Sequence, residues 1–313
     1  MKKLLFITLS FLAVPSFFML TIYQEEDIIK EESPILEEVS YAYEPIYIKV
    51  KQISQNKIVE IDLEEYVKGV IAGEMPISFN IEALKAQAVA ARTYAVRRIN
   101  KNNTYDVVDT VMNQVYIDNE NLKAKWQSNY DAYMNKIKMA VEDTRGEYVD
   151  YNETYADTLF FSTSTGNTEN SEEIFGTKVS YLQSVDSYWD EEVSPAYQEK
   201  NIFTREQFCN LLNMNNCTRI YINILNETST GRVKTVEINS KKFAGSEVAA
   251  KLGVKSNFFN IYIQNNQVIL ETKGFGHGVG MSQYWAQGMA INCYTYKEIL
   301  EHYYQGTTIK KLY

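Results

Sequence analysis

Residues 80–99, NIEALKAQAVAARTYAVRRI, decide how this chain folds. Asn80 is a capping residue, Glu82 sits in the first turn, and Arg97 and Arg98 sit in the last, where each charge complements the helix dipole. Between these ends Ala83, Ala86, Ala90 and Ala91 make a thin helix that another backbone can approach closely.

Upstream, IYIKVKQISQNKIVEIDLEEYV (46–67) alternates apolar and polar residues around a turn at Ser54–Asn56, which predicts a hairpin. Asp62 then caps a short helix reaching Ala72. Next comes Gly73-Glu74-Met75-Pro76. Pro76 forbids helix continuation and pushes Met75 toward extended geometry, so Glu74 closes a helix with its charge opposed to the dipole. An ordinary solvated glutamate is the plain reading, and a carboxylate held there for chemistry is the sharper one. Lys85 and Arg92, seven apart, share one face of the 80–99 helix. They are either snorkelling side chains or a cationic pair beside Glu74.

Downstream, a second helix is expected over 126–142. GEYVDYNETYADTLFFSTSTG (146–166) reads as strands that end in a hydroxyl-rich loop holding Ser162 and Ser164. A helical segment near 201–215, a hairpin around Thr228–Gly231, a short helix over Ala244–Gly253 and a closing helix and strand over 296–313 complete the pattern. The fold class is α+β: one globular domain over 46–313 with an inserted middle region, about 170–260, flanking the cleft. In GFGHGVGMSQYWAQGMA (274–290), Gly274, Gly276, Gly278 and Gly280 alternate around His277, one of only two histidines. Clustered glycine implies positive φ or close backbone approach. No GxxxxGK[ST] or GxGxxG is present, so a binding loop and a packing turn both stand.

The N-terminus, MKKLLFITLSFLAVPSFFMLTIYQEED, places Lys2 and Lys3 before an uncharged apolar run over 4–23. That length and those flanks predict a transmembrane signal-anchor with residues 1–3 in the cytoplasm and the rest outside, a cleaved signal peptide being the rival. Residues 24–45 are acidic and read as a stalk. A net charge of −9 argues against nucleic acid as a partner. Cys209 and Cys217 either close a short loop or remain buried thiols.

EEYVKGVIAGEMP (64–76), EALKAQAVAARTYA (82–95), FFSTSTGNTENSEEIFG (160–176), GFGHGVGMSQYWAQGMA (274–290) and ILEHYYQG (299–306), in this order, resemble the stage II sporulation protein D family of spore-forming bacteria. The resemblance covers about 46–313 and includes the anchor. It implies a membrane-anchored lytic transglycosylase that cuts peptidoglycan glycan strands stripped of stem peptides during forespore engulfment. The implied partners are the sporulation amidase (protein P) and membrane protein M. The family's catalytic glutamate falls on Glu74 and its basic helix residues on Lys85 and Arg92. Ser162, Ser164, His277 and Gln283 fall in loops that line the cleft. Many relatives carry histidine where this chain has Phe161, and Cys and His where it has Val108, Met112 and Asn113. The family's metal binding is therefore not carried over, and neither metal nor cofactor is expected.

Cleavage of a glycosidic bond needs an acid at the leaving oxygen. If the muramic acid 6-hydroxyl attacks its own anomeric carbon, one carboxyl serves as acid and then as base. Such an acid wants a raised pKa, which adjacent cations would lower, so Lys85 and Arg92 are expected beyond pairing distance of Glu74. Two other classes remain. One is a non-catalytic glycan-binding enhancer of a partner amidase. The other is a serine hydrolase using Ser162 or Ser164 with His277, for which the GxSxG elbow is lacking.

Overall fold

The computed structural model describes residues 44–215 and 217–313. The anchor expected over 4–23 and nearly all of the stalk lie outside them. Among the described residues no helix is long and apolar enough to cross a membrane. These residues form a mixed α/β fold.

Strands β1 (Tyr47–Gln52) and β2 (Lys57–Asp62) make the expected hairpin, with Tyr47 opposite Asp62. Asp62 accepts hydrogen bonds from the Glu64 and Glu65 amides and starts α1 (Leu63–Glu74). Asn80 caps α2 (Ile81–Arg98) through the Glu82 amide. Strand β3 (Val107–Val108) pairs parallel with β1. The single helix expected over 126–142 is α4 (Tyr130–Asp143), and a separate α3 (Asn119–Trp126), capped by Asp118, precedes it. Then follow β4 (Glu147–Tyr151), β5 (Thr154–Tyr155), β6 (Phe160–Phe161), β7 (Gly166–Asn167), α5 (Ser171–Phe175), β8 (Asp186–Ser187) and α6 (Asp190–Val193).

Helix α2 separates two apolar clusters. Ala83, Ala86 and Ala90 pack with Ile71, Ile137 and Val149 in the main core. Ala91, Tyr94 and Ala95 meet Ile48, Val50, Leu63 and Tyr66 beneath the hairpin. Small side chains on both sides let neighbours close in at interior packing density.

The chain then builds β9 (Gln198–Thr204), α7 (Arg205–Leu211), β10 (Ile222–Glu227), β11 (Val233–Ile238), β12 (Lys241–Ala244), α8 (Gly245–Leu252), β13 (Phe259–Gln264) and β14 (Gln267–Lys273). Two three-stranded sheets, ordered β10-β11-β12 and β13-β14-β9, enclose with α7 and α8 a core of their own that includes Phe208, Val236, Phe243, Val248 and Leu270. The stretch expected as an insertion is therefore divided. Tyr181, Leu182 and Val185 belong to the main core, whereas the second core continues past residue 260 to Leu270. Cys209 and Cys217 are disulfide-bonded at the edge of this second core, and Cys293 is a free, exposed thiol.

The last segment returns to the main core. Strand β15 (Met281–Ser282) pairs parallel with β6, α9 (Gln283–Ile291) and α10 (Tyr296–Tyr303) pack on α2, and β16 (Thr308–Lys311) pairs antiparallel with β4.

Candidate active site

Glu74 ends α1, and Met75 turns extended before Pro76 as the sequence requires. The Glu74 carboxyl accepts a 2.6 Å hydrogen bond from the Val115 amide. Gly73 makes this contact possible, because a Cβ there would stand 2.4 Å from the Val115 carbonyl oxygen. Glu74 is half-buried, and burial raises its carboxyl above the ordinary value; the Val115 amide and the neighbouring Gln283 side chain pull the other way without overcoming it. No cation contributes.

Glu74 lies on the wall of a cavity of about 880 Å³. Ser162, His277 and Gln283 line the same cavity, so three of the expected substrate-binding residues come together with the acid. His277 is packed between the rings of Phe161 and Phe175, with centroids 5.7 and 5.6 Å away. Burial, and then the charge of Arg232, push its pKa down to about 4, so the ring is neutral at physiological pH. Its Nδ1 accepts a 3.1 Å hydrogen bond from the Val279 amide.

The other three expected residues are elsewhere. Arg92 is wholly buried and forked onto Glu64, with Nε at 2.9 Å and Nη2 at 2.6 Å from its two oxygens. Lys85 pairs with Glu82 at 3.0 Å and Asp143 at 2.9 Å. Ser164 is buried; its hydroxyl donates to the Ser187 carbonyl and its amide to Asp190. None of the three lines the cavity of Glu74. For the two cations the reason is the helix wheel. At about 100° per residue, Lys85 and Arg92 point almost the same way, whereas Tyr94, Arg97 and Arg98 lie within about 60° of the opposite direction. That opposite face borders the cavity, so its basic groups are Arg97 and Arg98. Sequence reasoning read these arginines only as dipole partners, although the wheel was available to separate the two faces.

Arg98 lies over the Tyr94 ring at 3.2 Å from its centroid and donates to the Tyr94 carbonyl and, at 3.1 Å, to Asp157. Asp157, the second cavity carboxylate, is thereby held in an ion pair. Val111 and Met112 stand almost fully exposed at the rim. Met112, Asn113 and Phe161, three of the positions set apart from the relatives, all line the cavity and present apolar and amide surface to it. Among the described residues no three His, Cys, Asp or Glu side chains gather as a metal-ligand set.

The glycine loop supports this wall. Gly274, Gly276, Gly278 and Gly280 all have positive φ, and a Cβ on Gly280 would lie 2.1 Å from the Leu159 carbonyl oxygen. A buried ion pair fastens the loop to the second core. Arg232 Nε lies 3.1 Å from Glu169, Arg232 also donates to the Gly276 carbonyl at 2.8 Å, and the Glu169 amide donates to the Gly278 carbonyl at 2.8 Å. The helix start that follows holds no anion cradle: Ser282, the cap of α9, donates to Asp190, which already places a carboxylate there. The serine hydrolase arrangement is also absent. Ser164 is committed to Ser187, the Ser162 hydroxyl lies against that of Thr163, and His277 Nδ1 faces its own backbone. A further hollow of about 690 Å³ on the second core, near Phe258 and Glu271, contains none of the expected residues.

The cavity thus combines aromatic walls, a carboxyl of raised pKa and an arginine-bearing edge. The model of the stage II sporulation protein family matches residues 51–151. Stage II sporulation protein D of Bacillus subtilis (strain 168) is 40% identical over 274 residues, covering 85% of this chain and 80% of the relative. Its counterpart in Bacillus amyloliquefaciens is 39% identical over the same length. The amidase enhancer of Bacillus subtilis is 28% identical over 297 residues, 78% of this chain and 40% of the relative. The chain belongs to the stage II sporulation protein D family.

Proposed function

We propose that this protein is a lytic transglycosylase that cleaves peptide-free peptidoglycan glycan strands and leaves 1,6-anhydro-muramic acid ends. The observation that carries the reading is Glu74: a half-buried carboxyl on a cavity wall whose pKa is raised with no cation beside it. In its protonated form it delivers the proton to the glycosidic oxygen as the bond to the anomeric carbon breaks. The resulting carboxylate then takes the proton of the muramic acid 6-hydroxyl as that oxygen bonds to the same carbon. The acid is regenerated and no water is consumed. The other cavity carboxylate, Asp157, is tied to Arg98, which favours a one-carboxyl scheme over one that needs a free second carboxylate.

Kinship with stage II sporulation protein D supports a role in engulfment, with the amidase protein P and membrane protein M as partners. The apolar run over 4–23 supports a single-pass anchor that places the domain outside the cytoplasm, on the mother-cell side of the septum. The test is mass spectrometry of peptide-free strands after incubation with the purified full chain. New 1,6-anhydro ends are expected, and reducing ends would replace this reading with hydrolysis. Similarity to a protein named amidase enhancer supports a second reading, a glycan-binding helper. Strands bound but uncut, with stimulation of an added amidase, would establish that instead.

A further inference from the structure

We propose that Arg97 recognises the free lactyl carboxylate of muramic acid and so selects strands whose stem peptide has been removed; this rests on the glycan-strand reading of the Glu74 cavity. Arg97 and Arg98 are the only lysine or arginine side chains lining that cavity among the described residues, and they are not equivalent. Arg98 is engaged on both sides, stacked on Tyr94 and bonded to the Tyr94 carbonyl and Asp157. Arg97 makes one hydrogen bond, from Nη1 to the Tyr155 carbonyl at 2.6 Å. Its Nε stands 3.9 Å from Asp157, beyond hydrogen-bond reach, and its side chain is 43% exposed. The Nε and Nη2 edge of its guanidinium therefore remains available as a planar two-donor fork.

The charge arrangement around it fits an anion. Asp157 is matched by Arg98, and the neutral His277 adds no charge. Arg97 and Arg98 share the single Asp157 carboxylate, Arg97 at the longer distance of 3.9 Å, so the two guanidinium groups carry one positive charge more than it balances. The chain as a whole carries −9 and offers an anionic polymer no general attraction, so acceptance of a carboxylate has to be local. On a strand of alternating N-acetylglucosamine and N-acetylmuramic acid the sugars are uncharged, and the lactyl arm is the one place where a carboxylate arises. While the stem peptide is attached, that carbonyl is an amide, with one acceptor oxygen, no charge and a bulky substituent. After the amide is hydrolysed it becomes a two-oxygen anion that matches the guanidinium fork.

The test is calorimetric binding to full-length protein carrying Glu74→Gln, so that ligands survive. Three tetrasaccharides are compared: the peptide-free muramyl glycan, its lactyl methylamide, and chitotetraose, which has no lactyl arm. The carboxylate ligand should bind about 10- to 100-fold more tightly than the methylamide, the range of a charge-assisted hydrogen-bonded pair. Adding Arg97→Gln should abolish that preference and leave chitotetraose unchanged. Arg97→Lys, which keeps the charge and loses the fork, should retain part of it and controls for folding. A preference that survives Arg97→Gln, or an equal loss for all three ligands, would overturn the proposal. Failure of the wild-type protein to form anhydro ends is a separate result: it removes the transglycosylase reading and leaves the carboxylate preference to be decided by binding.

Discussion

Glu64 in the first turn of α1 and Glu74 in its last are treated by the chain in opposite ways. Glu64 is buried against Arg92, takes the Gly146 amide at 3.2 Å and receives the Tyr313 hydroxyl at 2.5 Å. Burial alone would raise its pKa, but the hydrogen-bonded guanidinium, its charge and the two other donors hold it below the ordinary value of 4.5. Glu74, on the same helix but only half-buried, lacks a cation and is held above that value. Partners brought in from remote segments decide which carboxyl becomes a fixed anion and which can carry a proton. The buried arginine therefore belongs to the lock at one end of the helix, apart from the cavity that Glu74 lines at the other.

The strongest way to break this contrast is Glu74→Gln. Strand cleavage should fall by about 10²- to 10⁴-fold, the usual worth of a general acid, with circular dichroism unchanged. An active variant would remove Glu74 from the mechanism. Next in size is Arg92→Ala, which leaves Glu64 buried without its counter-charge and should cost about 3–5 kcal/mol in urea unfolding. Protein that remains folded should still bind glycan. Replacing both partners with apolar residues of similar volume should recover most of that loss. A stable Arg92→Ala protein that cannot cleave would return Arg92 to the substrate side.

Reduction of the Cys209–Cys217 disulfide should have a smaller effect. It closes a short loop at the edge of the second core, and opening it should cost about 2–3 kcal/mol. None of the residues clustered around Phe208 lines the Glu74 cavity, so residual cleavage at temperatures where the protein stays folded should be unaffected. A large loss of activity on reduction would mean that the second core shapes the cavity more strongly than the Arg232–Glu169 fastening alone suggests.

What the sequence revealed and what it withheld follow from the range of the interactions. Asp62, Asn80 and Pro76 act within three or four residues, so the ends of α1 and α2, and with them the position of Glu74, were legible. The Glu64–Arg92 and Ser164–Asp190 contacts join residues 28 and 26 apart, and nothing local distinguishes a paired arginine or a buried serine from a ligand-binding one. The alternating glycines showed that the backbone was constrained but not against what; the Leu159 carbonyl that excludes a side chain at Gly280 lies on a separate strand region. The second core was visible as hairpins, but its limits were set by which strand β14 joins, and that strand, β9, lies about seventy residues away. The Arg97 face was recoverable in principle, since helical periodicity alone places it opposite Arg92.

The smallest expected effect gives the sharpest comparison, because it reads both glutamates in one experiment. Glu64 has a lowered folded-state pKa, so its stabilisation is present above about 4.5 and is lost as pH falls through the lowered value. Glu64→Gln should thus be most destabilising near neutrality, with the gap to wild type closing in acid. Glu74 has a raised folded-state pKa, so its favourable contribution is full below about 4.5 and is lost as pH rises through the raised value. Above the raised value its ionised form weighs against folding, and Glu74→Gln should there be neutral or more stable than wild type, with the advantage shrinking toward pH 4.5. Thermal melts of both variants across pH 4 to 8 should therefore slope in opposite directions relative to wild type. If Glu74→Gln were instead progressively destabilised toward pH 7, ionised Glu74 would have to be held by a positive charge, and a carboxyl so held could not serve as the proton donor.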